Sequence, residues 1–111
     1  MAVSGKILYQ GQPGTSEAEL YQGGTGIETY IDSAVVCNPT GSSATLTLAV
    51  VDGGGSLADA NTIYSAFTVA AGDTTTLGGL VNMRLEAADE IRGLASAGST
   101  LTLTITGREV S

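Results

Sequence analysis

Residues 44–50 (Ala-Thr-Leu-Thr-Leu-Ala-Val) and residues 100–106 (Thr-Leu-Thr-Leu-Thr-Ile-Thr) alternate apolar and polar side chains, and they decide the fold class. Successive side chains of a β-strand point to opposite faces, so this alternation is typical of an antiparallel strand between a core and water. The β-branched threonine suits the exposed pleat. Both stretches are therefore predicted to be strands, with Leu101, Leu103 and Ile105 on the core face.

Further stretches follow the same pattern. Strands are predicted at residues 6–10, 26–37, 62–69, 74–81 and 90–97, with a weaker candidate at 18–22. The long stretch 26–37 is either one strand with a bulge or two short strands, and Gly78-Gly79 indicates a bend. With turn residues about every ten positions, the sequence predicts an all-β fold, an antiparallel β-sandwich (or small barrel) of roughly seven to eight short strands.

The stretch 62–69 fits the alternation less cleanly than the two threonine-rich stretches. Ile63, Phe67 and Val69 are predicted on one face of this strand, with Tyr64 and Ala66 on the other.

Residues 80–91 have the best helix propensity in the chain, yet we predict a strand–turn–strand corner there. The stretch 85–91 repeats the pattern of 69–75, in which an apolar residue leads through small residues and an aspartate into another strand-like stretch. Asp73 and Asp89 can hold such corners by accepting backbone hydrogen bonds. Helix propensity alone is a weak guide.

Residues 1–26 differ in character from the rest of the chain. Loop-forming sequences at 11–16 and 22–26 flank the short stretch 17–21. We expect an irregular N-terminal arm here, either an edge of the domain or a segment that becomes ordered only against a neighbour. The predicted organisation is thus an arm or edge segment over residues 1–26 and one β-sandwich domain over residues 27–111.

The composition excludes most chemistries. The 111 residues include no histidine, no tryptophan, one cysteine, 4 lysines and arginines and 11 acids, for a net charge of −7. Triads and imidazole metal sites need histidine, and disulfides and zinc–cysteine sites need more cysteines. Four cations cannot drive nucleic-acid binding by counterion release. We therefore expect no enzymatic activity, no cofactor, no metal and no nucleic-acid partner.

The polar residues that could carry chemistry each have a simpler interpretation. The glycine-rich loop 52–61 could bind calcium, but its spacing matches no standard calcium loop, which favours a plain strand connection. Ser4 and Lys6 could form a catalytic serine–lysine dyad only if neighbouring residues fixed their geometry, and the sequence shows no such residues. Cys37 is expected to be a small buried residue at a strand end. A solvated acidic surface is favoured over paired catalytic carboxylates for the acids of the N-terminal third, Glu17, Glu19, Glu28 and Asp32.

Aromatic and apolar residues near the arm are the candidates for a protein interface. Tyrosine combines contact area with a polar tip, and two of the tyrosines here lie in Leu-Tyr-Gln contexts. Core or edge packing is an equally good interpretation of these side chains. The interface candidates are Tyr9, Leu20, Tyr21, Ile27 and Tyr30.

Several stretches also resemble a known group of proteins. Residues 31–48 are similar to a strand–turn–strand block common in small virion proteins of tailed bacteriophages, and residues 60–64, 69–74 and 85–92 continue the likeness in order. The resemblance covers residues 27–110, whereas residues 1–26 depart from the pattern. It implies an all-β sandwich attached to capsids or tails, without catalytic residues. Capsid decoration proteins are often trimers, so a homo-oligomer is implied by the same analogy.

The expected function is that of a bacteriophage virion structural protein, most concretely a capsid decoration (cement) protein that bridges capsid subunits from outside. Its partner would be the major capsid protein or another virion protein. A tail tube, tail completion or fibre-like component is the first alternative. A carbohydrate-binding or adhesion module is a more distant one, and a carboxylate hydrolase is the most distant.

The expected location is the virion, after synthesis in the host cytoplasm. The sequence shows no secretory signal and no apolar run near the ~20 residues that span a bilayer, so no membrane partner is expected.

Overall fold

The computed structural model describes residues 2–111 and places the two threonine-rich stretches at the centres of two different sheets. The described residues form nine strands, β1 (Val3–Gly11), β2 (Ala18–Gln22), β3 (Glu28–Cys37), β4 (Ala44–Val51), β5 (Thr62–Val69), β6 (Thr74–Thr76), β7 (Arg84–Leu85), β8 (Glu90–Ala95) and β9 (Thr102–Val110). Single turns of 3-10 helix occupy Asp59–Asn61 and Gly78–Leu80. The prediction of an all-β sandwich is confirmed, with one strand more than expected, the two-residue β7, and with the predicted strand 74–81 shortened to β6.

Two antiparallel sheets make up the sandwich. The first sheet has the order β1-β9-β3-β6, and β7 pairs with β3 on the same side as β6. The second sheet has the order β2-β8-β4-β5. Leucine and isoleucine side chains from β4 and β9 meet between the sheets, and Leu46, Leu48, Leu103 and Ile105 are 0% exposed. Burial of each such side chain stabilises the fold by about 1.5–3 kcal/mol, so the alternation alone is a strong folding signal.

The long predicted stretch 26–37 is one strand with a bulge, which is the first of the two alternatives. Its pairing with β9 shifts register between Ile31 and Ser33. The shift leaves Asp32 exposed while Ile31 and Ala34 both face the core.

The predicted faces of β5 were wrong at one residue. Tyr64 lies on the core side with Phe67, because the two pair with the buried residues Leu48 and Leu46 of β4. A bulge at Ala66, where φ is 47°, puts an extra residue between them and reverses the alternation. Their rings pack edge to face with centroids 5.4 Å apart.

The two predicted corners have the same geometry, and residues 80–91 form no α-helix. Gly72 (φ 76°) and Ala88 (φ 70°) take the left-handed conformation at equivalent positions. Asp89 accepts a hydrogen bond from the Glu86 N–H at 2.9 Å, as predicted for this corner. Asp73 contributes through its backbone, whose N–H donates to the Ala70 carbonyl.

The described residues 2–26 contribute a strand to each sheet. β1 is an edge strand of the first sheet and pairs with β9 along its length. β2 is an edge strand of the second sheet and pairs with β8. The segment expected to be irregular thus provides one edge of each layer.

Candidate interaction surfaces

The outer face of the first sheet is lined by hydroxyl and small apolar side chains. Alternate residues of β9 and β3 are buried in the core, so the residues between them face outward. The hydroxyl oxygens of Ser33 and Thr106 lie 2.7 Å apart across the two strands. We call this surface the threonine face, and it consists of Ile7 and Gln10 on β1, Thr102, Thr104 and Thr106 on β9, Ser33, Val35 and Cys37 on β3, and Thr74 and Thr76 on β6.

The threonine face contains no acidic or basic side chain, although the chain carries 11 acids and 4 lysines and arginines. Ile7 contributes an apolar side chain that is 53% exposed. The centres of protein interfaces are depleted in charge because buried charges are costly to desolvate. Another protein can therefore cover the threonine face without burying a charge.

One end of the threonine face is bordered by a cluster of paired charges around Tyr30. The Arg108 guanidinium forms an ion pair with Asp32 and lies 4.9 Å from the centre of the Tyr30 ring. The Tyr30 hydroxyl donates to Glu28 at 3.3 Å, and Arg84 lies 3.2 Å from the same carboxylate. The geometry of Arg108 is that of a cation–π contact, which orients the guanidinium along the sheet surface.

Tyr21 connects the two sheets at one end of the sandwich. Its hydroxyl donates to Glu109 Oε2 at 2.6 Å and lies 2.7 Å from Thr29 Oγ1. Partial burial, together with the hydrogen bond to a carboxylate, raises the pKa of Tyr21 to about 12. The same hydrogen bond, helped by Lys6 at 3.4 Å, holds the pKa of Glu109 below its usual range despite partial desolvation.

The remaining interface candidates pack mainly inside the sandwich. Tyr9 and Leu20 contact the edge of the core cluster, and burial raises the pKa of Tyr9. Ile27 lies half-buried in the loop before β3, with its backbone N–H donating to the Gly24 carbonyl.

The five predicted interface residues do not share one surface. Tyr9, Leu20 and Tyr21 pack against the core cluster, whereas Tyr30 lies on the outer face of the first sheet beside Arg108. Ile27 lies in the loop between the two sheets.

The outer face of the second sheet is partly covered by the loop after β4. Ala49 is 0% exposed although it lies outside the core cluster, and Val51 is 1% exposed. Gly55 of the loop lies over Val51, since a Cβ atom on Gly55 would come within 3.0 Å of Val51 Cγ1. The loop between residues 52 and 61 thus replaces water on this face.

A network of ion pairs fixes that loop to the sheet. Glu17 Oε1 accepts the backbone N–H of Leu57 at 2.7 Å and pairs with Arg92 at 3.1 Å. Arg92 also pairs with Glu90 at 2.6 Å, and the Glu90 side chain is 9% exposed. The Leu57 N–H and the Arg92 guanidinium lower the pKa of Glu17, although partial desolvation opposes them. Glu17 is therefore held in place by two donors and shares Arg92 with Glu90.

The polar side chains of the loop bind the backbone of the loop itself. Asn61 Oδ1 accepts the Ala58 N–H at 2.9 Å, and Asn61 Nδ2 donates to the Ser56 carbonyl at 2.9 Å. Asp52 accepts the Gly53 N–H at 3.1 Å. Over residues 2–111, no group of three or more cysteine, aspartate or glutamate side chains is placed to hold a metal ion.

The other candidate residues lie apart from one another. Cys37 is half-buried at the end of β3, on the outer side between Thr102 and Thr74, where the sequence predicted a buried residue at a strand end. Lys6 pairs with Glu109 and not with Ser4. The alternating threonines of 100–106 predicted the outward threonine positions of β9, but not the full extent of the threonine face. The missing information was which strands lie beside β9.

Comparisons with models of protein families, with curated protein sequences and with solved structures found no match. No pocket is found in the described part of the chain. Residues 2–111 also contain no helix long and apolar enough to cross a membrane. The assignment of a function therefore depends on the surfaces described above.

Proposed function

We propose that the protein is a structural component of a bacteriophage virion that binds the outside of the assembled capsid and bridges neighbouring capsid subunits. The observation that carries this proposal is the threonine face, an uncharged sheet surface on a chain of net charge −7. The likeness of residues 27–110 to small phage virion proteins supports the same assignment.

The distribution of charge suits a protein that covers another with one face only. Among the described residues, all four basic side chains are paired with carboxylates, namely Lys6, Arg84, Arg92 and Arg108. Acidic residues on the second sheet and on the loop after β4, away from the threonine face, include Glu19, Asp52 and Asp59. Many bound copies would then present an acidic outer surface, which keeps particles from clumping.

Binding would stabilise the shell by mass action. A protein that contacts two subunits only when they are adjacent lowers the free energy of the assembled shell and not that of its separated parts. A stable contact of this kind buries roughly 800 Å² on each partner. The face spans four strands, and its hydroxyl groups can exchange water for hydrogen bonds with the partner.

The direct test is to image particles of the phage whose genome encodes this chain, with and without the protein, and to measure its copy number by mass spectrometry. We expect copy numbers comparable to that of the major capsid protein, density on the outer shell, and lower thermal stability of particles that lack the protein. Only a few copies per particle, at the tail, would contradict capsid decoration and support the tail alternative. Absence from the particle would overturn the proposal.

A pair of variants tests the face itself. Thr104→Glu places a negative charge at the centre of the threonine face, whereas Thr68→Glu adds the same charge to an exposed strand position on the other sheet. We expect Thr104→Glu to reduce binding to particles that lack the protein by about tenfold or more, because a charge must then be desolvated. Thr68→Glu should bind as the unmodified chain does. Equal binding by both variants would show that another surface makes the contact.

A further inference from the structure

The free edge of β1 carries backbone groups without partners in the sheet. Ala2 and Ser111 exchange two backbone hydrogen bonds, of 3.2 and 2.9 Å. In an antiparallel pair, hydrogen-bonded and non-hydrogen-bonded positions alternate. The N–H and C=O groups of Val3, Gly5 and Ile7 therefore point away from β9, towards the open edge.

The side chains along this edge are also exposed to solvent. Within the described part of the chain, the large hydrophobic residues that are mostly exposed are Val3 at 61% and Ile7 at 53%. They lie at equal distances on either side of Gly5, where an added Cβ atom would have no other atom within 4 Å. The run Val3–Ile7 is regular, because the register shift of β1 comes after Ile7.

The other sheet edges have features that discourage strand addition. β5 carries the left-handed Ala66 and two register shifts. β6 and β7 have three and two residues. β2 has five residues, with a register shift and the exposed Glu19. Natural proteins protect edges by such bulges, charges and short strands. β1 carries Lys6 and a register shift after Ile7, but its run Val3–Ile7 is regular and its outward side chains are exposed.

We propose that β1 pairs with β1 of a second copy, antiparallel and about a two-fold axis at Gly5. In this register Val3 faces the partner's Ile7, Gly5 faces the partner's Gly5, and Ile7 faces the partner's Val3. All of these are hydrogen-bonded positions, so every free backbone group of the run finds a partner. The edge is thus self-complementary, as an isologous contact requires.

The charges of the N-terminal segment favour a second copy of the chain as the partner of β1. Residues 1–16 contain Lys6 as their one charged residue, in a chain whose net charge is −7. Two acidic copies therefore meet along their least negative segment. The proposed register places Lys6 opposite the partner's Ser4, so the two lysines do not face each other.

The pairing joins the two first sheets into one, with the order β6-β3-β9-β1 followed by the same four strands reversed. Paired residues of adjacent strands point to the same face, so both threonine faces lie on one side of the joined sheet. The regular run is short, and its contact area is well below the roughly 800 Å² per partner of a standard stable complex. We therefore expect a dimer whose population rises with protein concentration.

Disulfide cross-linking tests the register. In a Cys37→Ser background, Gly5→Cys places two cysteines at the axis, where Cα atoms of a hydrogen-bonded pair are about 5.5 Å apart, a spacing that a disulfide can bridge. We expect this variant to form a covalent dimer on mild oxidation. Gln10→Cys in the same background is the matched control, because Gln10 is exposed on the same strand but lies outside the paired run.

Charge placement tests the antiparallel arrangement without cysteines. In Val3→Lys combined with Ile7→Lys, like charges of the two copies face each other. Sedimentation velocity should then show a dimer dissociation constant that is about tenfold higher or more. Val3→Glu combined with Ile7→Lys places opposite charges face to face and should restore dimerisation. Circular dichroism of each variant checks that the β-sandwich has formed.

Three results would overturn the proposal. They are a monomer at all concentrations, a trimer, and cross-linking at Gln10 as efficient as at Gly5. A Glu–Lys variant no more dimeric than the Lys–Lys variant would likewise exclude this register. The dimer can form whether or not the protein is a virion component, so these results and the particle experiments are independent.

Discussion

The outer faces of the two sheets start from similar sequence and end as different surfaces. Both β4 and β9 place threonine on alternate outward positions. On the first sheet these positions stay open and form the threonine face. On the second sheet Thr45 and Thr47 are also half-buried, but the outward residues Ala49 and Val51 are fully buried, and the loop that follows β4 lies over Val51. Glu17 and Arg92 hold this loop.

The difference shows that an alternating strand specifies its inner face more strictly than its outer face. The inner face must meet the opposite sheet, whatever the connections do. The outer face is free or covered according to where a loop returns, and a loop returns where its backbone groups find partners. Here the partner is the Glu17 carboxylate, which accepts the Leu57 N–H.

The largest expected effect comes from a lysine at matched outward positions of the two sheets. Ala49→Lys forces a charge into an outward position that is 0% exposed and should lower the free energy of unfolding by about 3 kcal/mol or more. Thr104→Lys places the same side chain on the open face and should change it by less than about 0.5 kcal/mol. Urea unfolding measures both, and similar losses would show that the threonine face is not open.

The next largest effect is expected from the ion pairs, whose removal should change stability on the second sheet more than on the first. Arg92→Met removes the cation that pairs with both Glu17 and Glu90, and it leaves the largely buried Glu90 carboxylate unpaired. Arg84→Met removes two exposed pairs, with Glu28 and Glu86, beside the threonine face. Because exposed pairs contribute little, we expect a clear drop of the unfolding midpoint for the first variant and almost none for the second. Equal midpoints would contradict the structural role of Arg92.

Tyr21 joins the two layers, and its raised pKa predicts an alkaline dependence. The pKa of Tyr21 is about 12 in the folded protein, and its ordinary value is 10.0. The contribution of its hydroxyl to the free energy of unfolding is therefore complete below pH 10. It is lost as the pH rises from 10 towards 12. Tyr21→Phe should remove this dependence and cost about 1 kcal/mol at neutral pH.

Tyr30→Phe is the control for Tyr21→Phe, because the Tyr30 hydroxyl makes one longer bond to an exposed carboxylate. Unfolding curves measured across the alkaline range compare the two variants. An unchanged alkaline decline in Tyr21→Phe would assign that decline to another group.

The smallest expected effect is local. Glu17→Ala should free the Leu57 N–H and speed its hydrogen exchange, with little change in global stability. Acid should also speed the exchange of the Leu57 N–H, because the pKa of Glu17 is lowered in the folded protein. The stabilising contribution of the Glu17 carboxylate is present above pH 4.5 and is lost as the pH falls through its pKa in the folded protein. Glu19→Ala is the matched control, and faster exchange of Leu57 in that variant would contradict the role of Glu17.

The positions of strands were predictable where the alternation is regular. Leu101, Leu103 and Ile105 face the core as expected, and the weak candidate at 18–22 is β2. The faces of β5 were not predictable, because one extra residue at Ala66 reverses the alternation and leaves no pattern in the sequence.

The candidate site was less predictable than the fold. Tyr21 was a candidate for an interface, with core or edge packing as an equally good interpretation, and its hydroxyl bonds Glu109 and Thr29 of the other sheet. A strand was predicted at residues 6–10, but the open edge of β1 was not foreseen, because the sequence does not show which strands pair with it. A free edge is recognised only when the pairing of every other strand is known.

Composition and alternation specify a negatively charged all-β chain in which Leu46, Leu48, Leu101 and Leu103 lie between two layers, since each strand buries one side whatever its neighbours are. Strand order, the return of the 52–61 loop and the open edge at Gly5 follow from contacts between residues far apart in the chain. Such contacts depend on which surfaces and backbone groups are left after the core has formed, and local sequence carries no record of them.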